Sequence, residues 1–291
     1  MTEAILQARD LAVAFGGVKA VDGLTFDVRE GEILAVIGPN GAGKTSAFNC
    51  ITGFYKPQSG SVRFLGQDIT GGRPANIAAA GVARTFQNLR LFGDLTVLDN
   101  VRAGMHVRLK QHAFDALLHT PRYRRSEQMA TDEAHRWLDF VGVHSDRTTQ
   151  VRNLPYGEQR RVEIARALAR EPRMLLLDEP AAGLNHGEKE ALLRLLRRIS
   201  GLGIAVVLIE HDMGLVMEVS QRIVVMSYGK EIADGTPEQI RTNPDVIEAY
   251  LGVEDEQVRA DALEIAAEQA EEIAAEQAEA DAGDQLTEGE R

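Results

Sequence analysis

Residues 5–28, ILQARDLAVAFGGVKAVDGLTFDV, alternate between apolar and polar side chains with a period of two, as strands with one buried face do. Gly16-Gly17 and Asp22-Gly23 are turn pairs, so the pattern predicts antiparallel strands joined by tight turns. The next apolar run, EILAVIG at 32–38, does not alternate and ends on glycine, which suits a strand covered on both faces. Similar runs recur as RMLLLDE (173–179), IAVVLIEH (204–211) and RIVVMSYG (222–229), separated by segments of helical period. That order predicts an α/β core with a mainly parallel sheet, preceded by an antiparallel β-subdomain. Across residues 88–153 the helical period takes over and β-type runs vanish, which predicts an inserted helical subdomain. LPYGEQ (154–159) then opens an amphipathic run, RRVEIARALAR, with a proline and a glycine placed as at an ordinary helix start.

Composition narrows the class. A chain of 291 residues with 44% apolar content can bury a sizeable core. Its longest apolar runs, such as 204–209, fall far short of the roughly 20 residues a membrane-spanning helix needs. The N-terminus mixes acids with apolar residues and lacks the basic start of a secretory signal, so a cytoplasmic location is expected. Cys50 is the single cysteine, which excludes an internal disulfide or a cysteine-rich metal site and leaves it a packing role.

The net charge of −12 is unevenly spread. Residues 254–291 hold 14 of the 44 acids and 2 of the 32 bases, which leaves 30 of each in the first 253 residues. In that tail EIAAEQAE at 264–271 recurs unchanged at 272–279. Alanine and glutamate favour helix, but Glu264, Glu268, Glu272 and Glu276 repel one another at i,i+4 spacing. The tail is therefore expected to be a solvated acidic extension beyond a domain of residues 1–253.

GPNGAGKT, Gly38-Pro39-Asn40-Gly41-Ala42-Gly43-Lys44-Thr45, matches G-x-x-x-x-G-K-[ST] between a buried strand and a helix, TSAFNCITG, that continues through Ser46. Glycines let the backbone curl so that successive N–H groups face an anion, and the following helix adds its positive end. Lys44 then reaches terminal phosphates and Thr45 offers a hydroxyl to Mg²⁺. Asp178 ends an apolar run that belongs beside this loop and can hold Mg²⁺ through water. Glu179, next along the chain, is the candidate general base. His211 stands at the carboxyl edge of the sheet, where open α/β folds bind ligands. His106, His112 and His119 show no metal-ligand spacing and are expected to face solvent.

These pieces in this order resemble the ATP-binding subunit of an ABC transporter over about residues 6–252, which implies a P-loop NTPase core of the RecA-like kind, ATP with Mg²⁺, and ATP hydrolysis coupled to transport. In that family a signature L-S-G-G-Q opens a helix whose N-terminus faces the γ-phosphate held by the opposite subunit. LPYGEQ occupies the slot, so the resemblance places Tyr156, Gly157, Glu158 and Gln159 on a partner's nucleotide, with Pro155 for the usual serine and Tyr156 for a glycine. It also implies that Phe15 stacks on adenine, a core aromatic being the other reading of that residue. Gln87 would touch Mg²⁺ and relay closure to a membrane subunit, His211 would contact the γ-phosphate, and AAGLN at 181–185 would cross the dimer interface, with Asn185 for the common aspartate. The arginines from Arg84 to Arg125 fit either a membrane-subunit face or a solvated helical surface.

NLPYGEQRRVEIARAL, LLLDEPAAGLN, IEHDM and GTPEQIRTNPDVIEAYLG together resemble one of the two ATP-binding subunits of branched-chain amino acid importers. The implied partners are a like or paralogous ATP-binding subunit, two integral membrane permease subunits and, indirectly, a periplasmic binding protein, at the cytoplasmic face of the membrane. Another cargo (a different amino acid, an amide or a lipid) is compatible with the same motifs. An ABC-type ATPase acting on nucleic acid is the reading from a different class, and a neutral body with an acidic tail gives little attraction to it.

Overall fold

The computed structural model describes residues 4–109 and 121–251. Two sheets form among them. The first is antiparallel, in the order β2-β1-β4-β5, from β1 (Ala4–Phe15), β2 (Val18–Arg29), β4 (Ser59–Phe64) and β5 (Gln67–Asp68). The second has the order β10-β9-β3-β8-β7-β6, from β3 (Ile33–Ile37), β6 (Val82–Arg84), β7 (Met174–Asp178), β8 (Ala205–Ile209), β9 (Arg222–Ser227) and β10 (Lys230–Gly235). All its pairings are parallel except β10 with β9. The α/β architecture with an antiparallel N-terminal sheet is as the periodicity predicts.

The unbroken apolar runs find their cause in burial on both faces. Along β3, Ile33, Ala35 and Ile37 enter one hydrophobic cluster while Leu34 and Val36 enter another. β7 and β8 divide in the same way, Leu175, Leu177, Val206 and Leu208 to the first and Met174, Leu176, Ala205 and Val207 to the second. Helix α1 (Lys44–Ile51), Ile77 of the next short helix and the antiparallel sheet cover the second face, and the helices later in the chain cover the first. With no solvated side, period-two polarity has no place in these strands.

One of the two expected turns is not a turn. Gly16-Gly17 closes the β1–β2 hairpin as a two-residue loop between the paired Phe15 and Val18, both glycines at positive φ. Asp22-Gly23 instead lies inside β2: Leu11 pairs with Leu24 and Ala12 with Asp22, so Gly23 is an extra residue, a bulge at φ +80°. Glycine tolerates both geometries, and strand register decided between them.

Between α2 (Pro74–Ala79) and the signature segment run α3 (Val97–Leu109), α4 (Pro121–Val141) and a 3-10 turn, Val151–Asn153. Val97, Val101 and Met105 of α3 and Ala130, Ala134 and Leu138 of α4 close over Val162 and Ala165 of α5 (Tyr156–Leu168), in the same cluster as Leu175 and Leu177 of β7. The C-terminal half adds α6 (His186–Ser200), α7 (Met213–Val219), α8 (Pro237–Arg241) and α9 (Pro244–Leu251). Among the described residues no helix is long and apolar enough to cross a membrane, and no group of three or more His, Cys, Asp or Glu could hold a metal. The acidic tail, His112, His119 and the side chain of His106 lie outside the described residues.

Candidate active site

The loop from Gly38 to Gly43 joins β3 to α1 and is glycine-rich because neighbouring backbone crowds it. A Cβ on Gly38 would fall 2.0 Å from the Met226 carbonyl oxygen, and one on Gly43 2.0 Å from that of Ala20. Both glycines also sit at positive φ. The first turn of α1 has no side-chain cap, so its leading N–H groups stay available to an anion. Pro39 is half-buried, Asn40, Gly41 and Thr45 are exposed, Ala42 is buried and Ser46 is half-buried. Lys44 folds back on the loop, donating from Nζ to the carbonyls of Gly38 and Pro39, the latter at 3.0 Å. Burial lowers its pKa from the usual lysine value, against the pull of Glu179 and Asp178.

Asp178 ends β7, 5% exposed, and is not free: Arg84 Nη2 donates to its Oδ2 at 2.9 Å. Arg84 ends β6, the parallel neighbour of β7, and its Nη1 also donates to Asn49 Oδ1 (2.7 Å) and Thr52 Oγ1 (3.1 Å) on the α1 side. Its guanidinium carbon lies 4.9 Å from the centre of the Phe86 ring. The expectation of a membrane-facing or solvated side chain is thus corrected for Arg84, which is buried inside the site. A lone arginine after two small apolar residues carries no sequence signal of that role.

Glu179 leaves the strand in the left-handed region, φ +48°, where a non-glycine residue is strained. Its N–H bonds to Ile209 O at 2.9 Å, which ties the strained residue to β8. The turn separates it from Asp178 and delivers its carboxylate between Gln87 and His211, the residues expected at Mg²⁺ and at the γ-phosphate. Gln87 Nε2 donates to Glu179 Oε2 at 2.8 Å, and His211 Nδ1 stands 3.8 Å from Oε1. His211 is half-exposed and lies two residues past the end of β8. Between them Glu210 is buried, and it accepts from the N–H of Ala181 (2.8 Å) and of His211 (3.3 Å). Burial raises the Glu210 pKa, and those N–H groups and His211 oppose the shift. Glu210 therefore fixes the chain after Glu179 relative to His211, a task the sequence reading did not assign.

Phe15 is 47% exposed at the hairpin end of β1 and packs edge to face on Tyr55, ring centres 4.9 Å apart. The core reading of this residue is set aside.

The signature segment begins α5, with Pro155 as N-cap and no side-chain cap. Tyr156 is exposed, covers Gly183 with its ring, and accepts from Arg160 Nη2 at 3.1 Å. Gly157 is buried because Glu188 sits on it: a Cβ there would fall 2.2 Å from Glu188 Oε1. Glu188 also closes the capping box of α6 with Asn185. Glu158 Oε2 is buried without a hydrogen-bond partner, and Gln159 Nε2 donates back to Leu154 O at 2.8 Å. The structure thus gathers Lys44, Asp178, Glu179, Gln87 and His211 in one place. Tyr156 to Gln159 instead pack against the 181–188 segment and their own helix, leaving main-chain N–H groups at the α5 N-terminus.

Comparison with known proteins identifies the family to which the chain is similar. Residues 21–182 match the ABC transporter family, and residues 230–256 match the family described as branched-chain amino acid ATP-binding cassette transporter. The high-affinity branched-chain amino acid transport ATP-binding protein LivG of Salmonella typhimurium is 47% identical over 253 residues, 87% of this chain and 99% of that protein. BraF of Pseudomonas aeruginosa, of the same description, is 48% identical with the same coverage. Among solved structures, the ADP conformation of MJ1267, an ATP-binding cassette of an ABC transporter, superposes with a TM-score of 0.76 at 32% identity, covering 86% of this chain and 100% of that one.

Proposed function

The chain belongs to the ABC transporter family of ATP-binding proteins, and from that premise we propose that it is the ATP-hydrolysing subunit of a branched-chain amino acid importer, with Glu179 as its general base. The observation that carries the general-base assignment is the placement of Glu179, bonded by Gln87 and 3.8 Å from His211, beside the phosphate loop, while the likeness to LivG and BraF supports the cargo.

In this reading the α1 N-terminus and the loop N–H groups bind the phosphates of ATP, and Lys44 exchanges its own loop carbonyls for phosphate oxygens. Glu179 accepts a proton from the attacking water, Gln87 orients that carboxylate, and His211 faces the γ-phosphate. The oxygen donors present fit Mg²⁺: Thr45 is exposed at the start of α1, the Gln87 side chain gives Nε2 to Glu179 and keeps Oε1, and Asp178 is held in place by Arg84. When bound with ATP, Mg²⁺ would neutralise charge developing on the phosphates. Phe15, exposed next to Tyr55, offers a ring face for adenine.

The N-terminus of α5 serves the ATP of a second ATP-binding subunit, identical or paralogous, through main-chain N–H groups from Tyr156 onward together with the helix end. Two subunits facing each other then enclose two nucleotides. A cleft of about 330 Å³ between β6 and α3, lined by Phe54, Phe86, Phe92 and Arg170, suits a segment of a membrane subunit at the cytoplasmic face. Substrate choice rests with the membrane subunits and an external binding protein.

The test is ATP-dependent uptake of leucine, isoleucine or valine into liposomes carrying the membrane subunits, both ATP-binding subunits and the binding protein. Uptake with the native chain and its loss with Glu179→Gln are expected. ATP hydrolysis that responds to none of the three amino acids would overturn the cargo.

A further inference from the structure

Arg160 takes no part in the chemistry above, yet its neighbours do. It lies on α5, 1% exposed, and its guanidinium serves four acceptors. Nη1 donates to Phe86 O and to Glu163 Oε2, each at 3.0 Å, while Nη2 donates to Gln87 O at 3.0 Å and to the Tyr156 hydroxyl at 3.1 Å. Glu163, 2% exposed and one turn along the same helix, uses its other oxygen to accept from the Arg90 N–H at 3.1 Å. The pair therefore grips the backbone of residues 86–90 at both ends.

Stability alone does not call for such a pair, because a well-packed apolar replacement of a buried ion pair is often neutral or stabilising. A planar fork with four fixed acceptors does specify one arrangement of the groups around it. Here those groups are the tip of α5 on one side and, on the other, the carbonyl of the residue whose side chain holds Glu179.

We propose that Arg160, braced by Glu163, is a positioning residue that couples the two ATP sites served by one subunit, linking Tyr156 at the partner's nucleotide to Gln87 at the subunit's own Glu179. The inference rests on the proposed placement of the α5 N-terminus on a partner's ATP. When that helix end is drawn onto a phosphate, Arg160 moves with it and carries the Phe86 and Gln87 carbonyls. The Gln87 side chain then sets the Glu179 carboxylate, so hydrolysis at one site depends on occupancy of the other.

The test uses the complete transporter complex and three readouts: affinity for MgATP, turnover against ATP concentration, and thermal stability. Arg160→Met combined with Glu163→Leu fills the space with apolar side chains and removes both the donors to the Phe86 and Gln87 carbonyls and the acceptor of the Arg90 N–H. A lower melting temperature in a complex that still folds is expected, with MgATP affinity within about twofold of native and turnover at saturating ATP at least tenfold lower. Retained turnover would overturn the inference. Should that double variant not fold, Tyr156→Phe decides, since it removes only the hydroxyl that accepts from Arg160 Nη2. Its expected signature is native affinity, turnover about threefold lower, and a Hill coefficient falling from about 2 toward 1. Native turnover with a native Hill coefficient in Tyr156→Phe would sink the coupling while leaving ATP hydrolysis by Glu179 intact. A native complex that hydrolyses ATP with no cooperativity at all would remove the two-site reading beneath it.

Discussion

The Gln87 side-chain amide donates to the Glu179 carboxylate at 2.8 Å, so Glu179 is oriented by a residue 92 positions earlier in the chain. In Glu179→Gln the side chain keeps its shape and can still accept from Gln87, but it can no longer take a proton from water. Loss of a general base typically costs 10²–10⁴-fold. Single-turnover hydrolysis should therefore fall by about that factor while MgATP binding persists. Light scattering should show the nucleotide-bound dimer accumulating, and a monomeric Glu179→Gln chain at saturating ATP would contradict the assignment.

Arg84 and Asp178 are the site's structural ion pair, with side chains 6% and 7% exposed. Replacing Arg84 with methionine preserves much of its stacking on Phe86 but strands a buried carboxylate and the acceptors on Asn49 and Thr52. Breaking a buried pair from one side costs about 3–5 kcal/mol. Urea unfolding of Arg84→Met should show a loss of that order. A change below about 1 kcal/mol would contradict the ion pair's structural role.

The difference between what could and could not be read from residue order is physical. The phosphate loop was legible because its glycines answer to backbone geometry that any such loop must adopt, and Asp178 and Glu179 because an apolar run ends on them. Arg84 and Arg160 were not. Arg84 after Val82-Ala83 and Arg160 between Gln159 and Arg161 would read the same on a solvated surface, and only the β6–β7 pairing and the packing of α5 on residues 86–90 bury them. Asp22-Gly23 misleads for a related reason: the dipeptide suits a turn or a bulge, and its partner strand β1 chooses. Strands β5, β6 and β10 escape periodicity because they are short or carry charge and glycine.

Gly157 is small because of Glu188. Alanine there would place a Cβ 2.2 Å from Glu188 Oε1, and Glu188 is held by the N–H of Asn185 at 3.0 Å. Relief comes from swinging the Glu188 carboxylate away, which gives up its bond from Asn185, at about 0.5–1.5 kcal/mol. Gly157→Ala should lose that much stability, and less than half as much in a Glu188→Ala background, where the clash is gone. Additive losses in the double-mutant cycle would show that Gly157 is required by something other than this contact. The cycle also separates packing from chemistry: turnover still missing in the stability-restored pair reports on the α5 N-terminus itself.

Cys50 provides a probe of the site that needs no label design, being the single thiol in the chain. It is 1% exposed, and burial pushes its thiol up to about 11. Both the thiolate population at pH 8 and the access of a reagent are thus suppressed in the folded chain. A thiol-reactive dye should leave the native protein unmodified over minutes and label it stoichiometrically in denaturant. Cys50 follows Asn49, which is bonded to Arg84, on the helix that begins at the phosphate loop, so its exposure requires that helix to open. Nucleotide at about 100 times its dissociation constant stabilises the folded state by about 2.7 kcal/mol. Labelling under mildly destabilising conditions should then slow about 100-fold with MgATP, and Lys44→Ala, whose phosphate contact is gone, should lose most of that protection. Labelling indifferent to nucleotide would place the bound ATP away from α1.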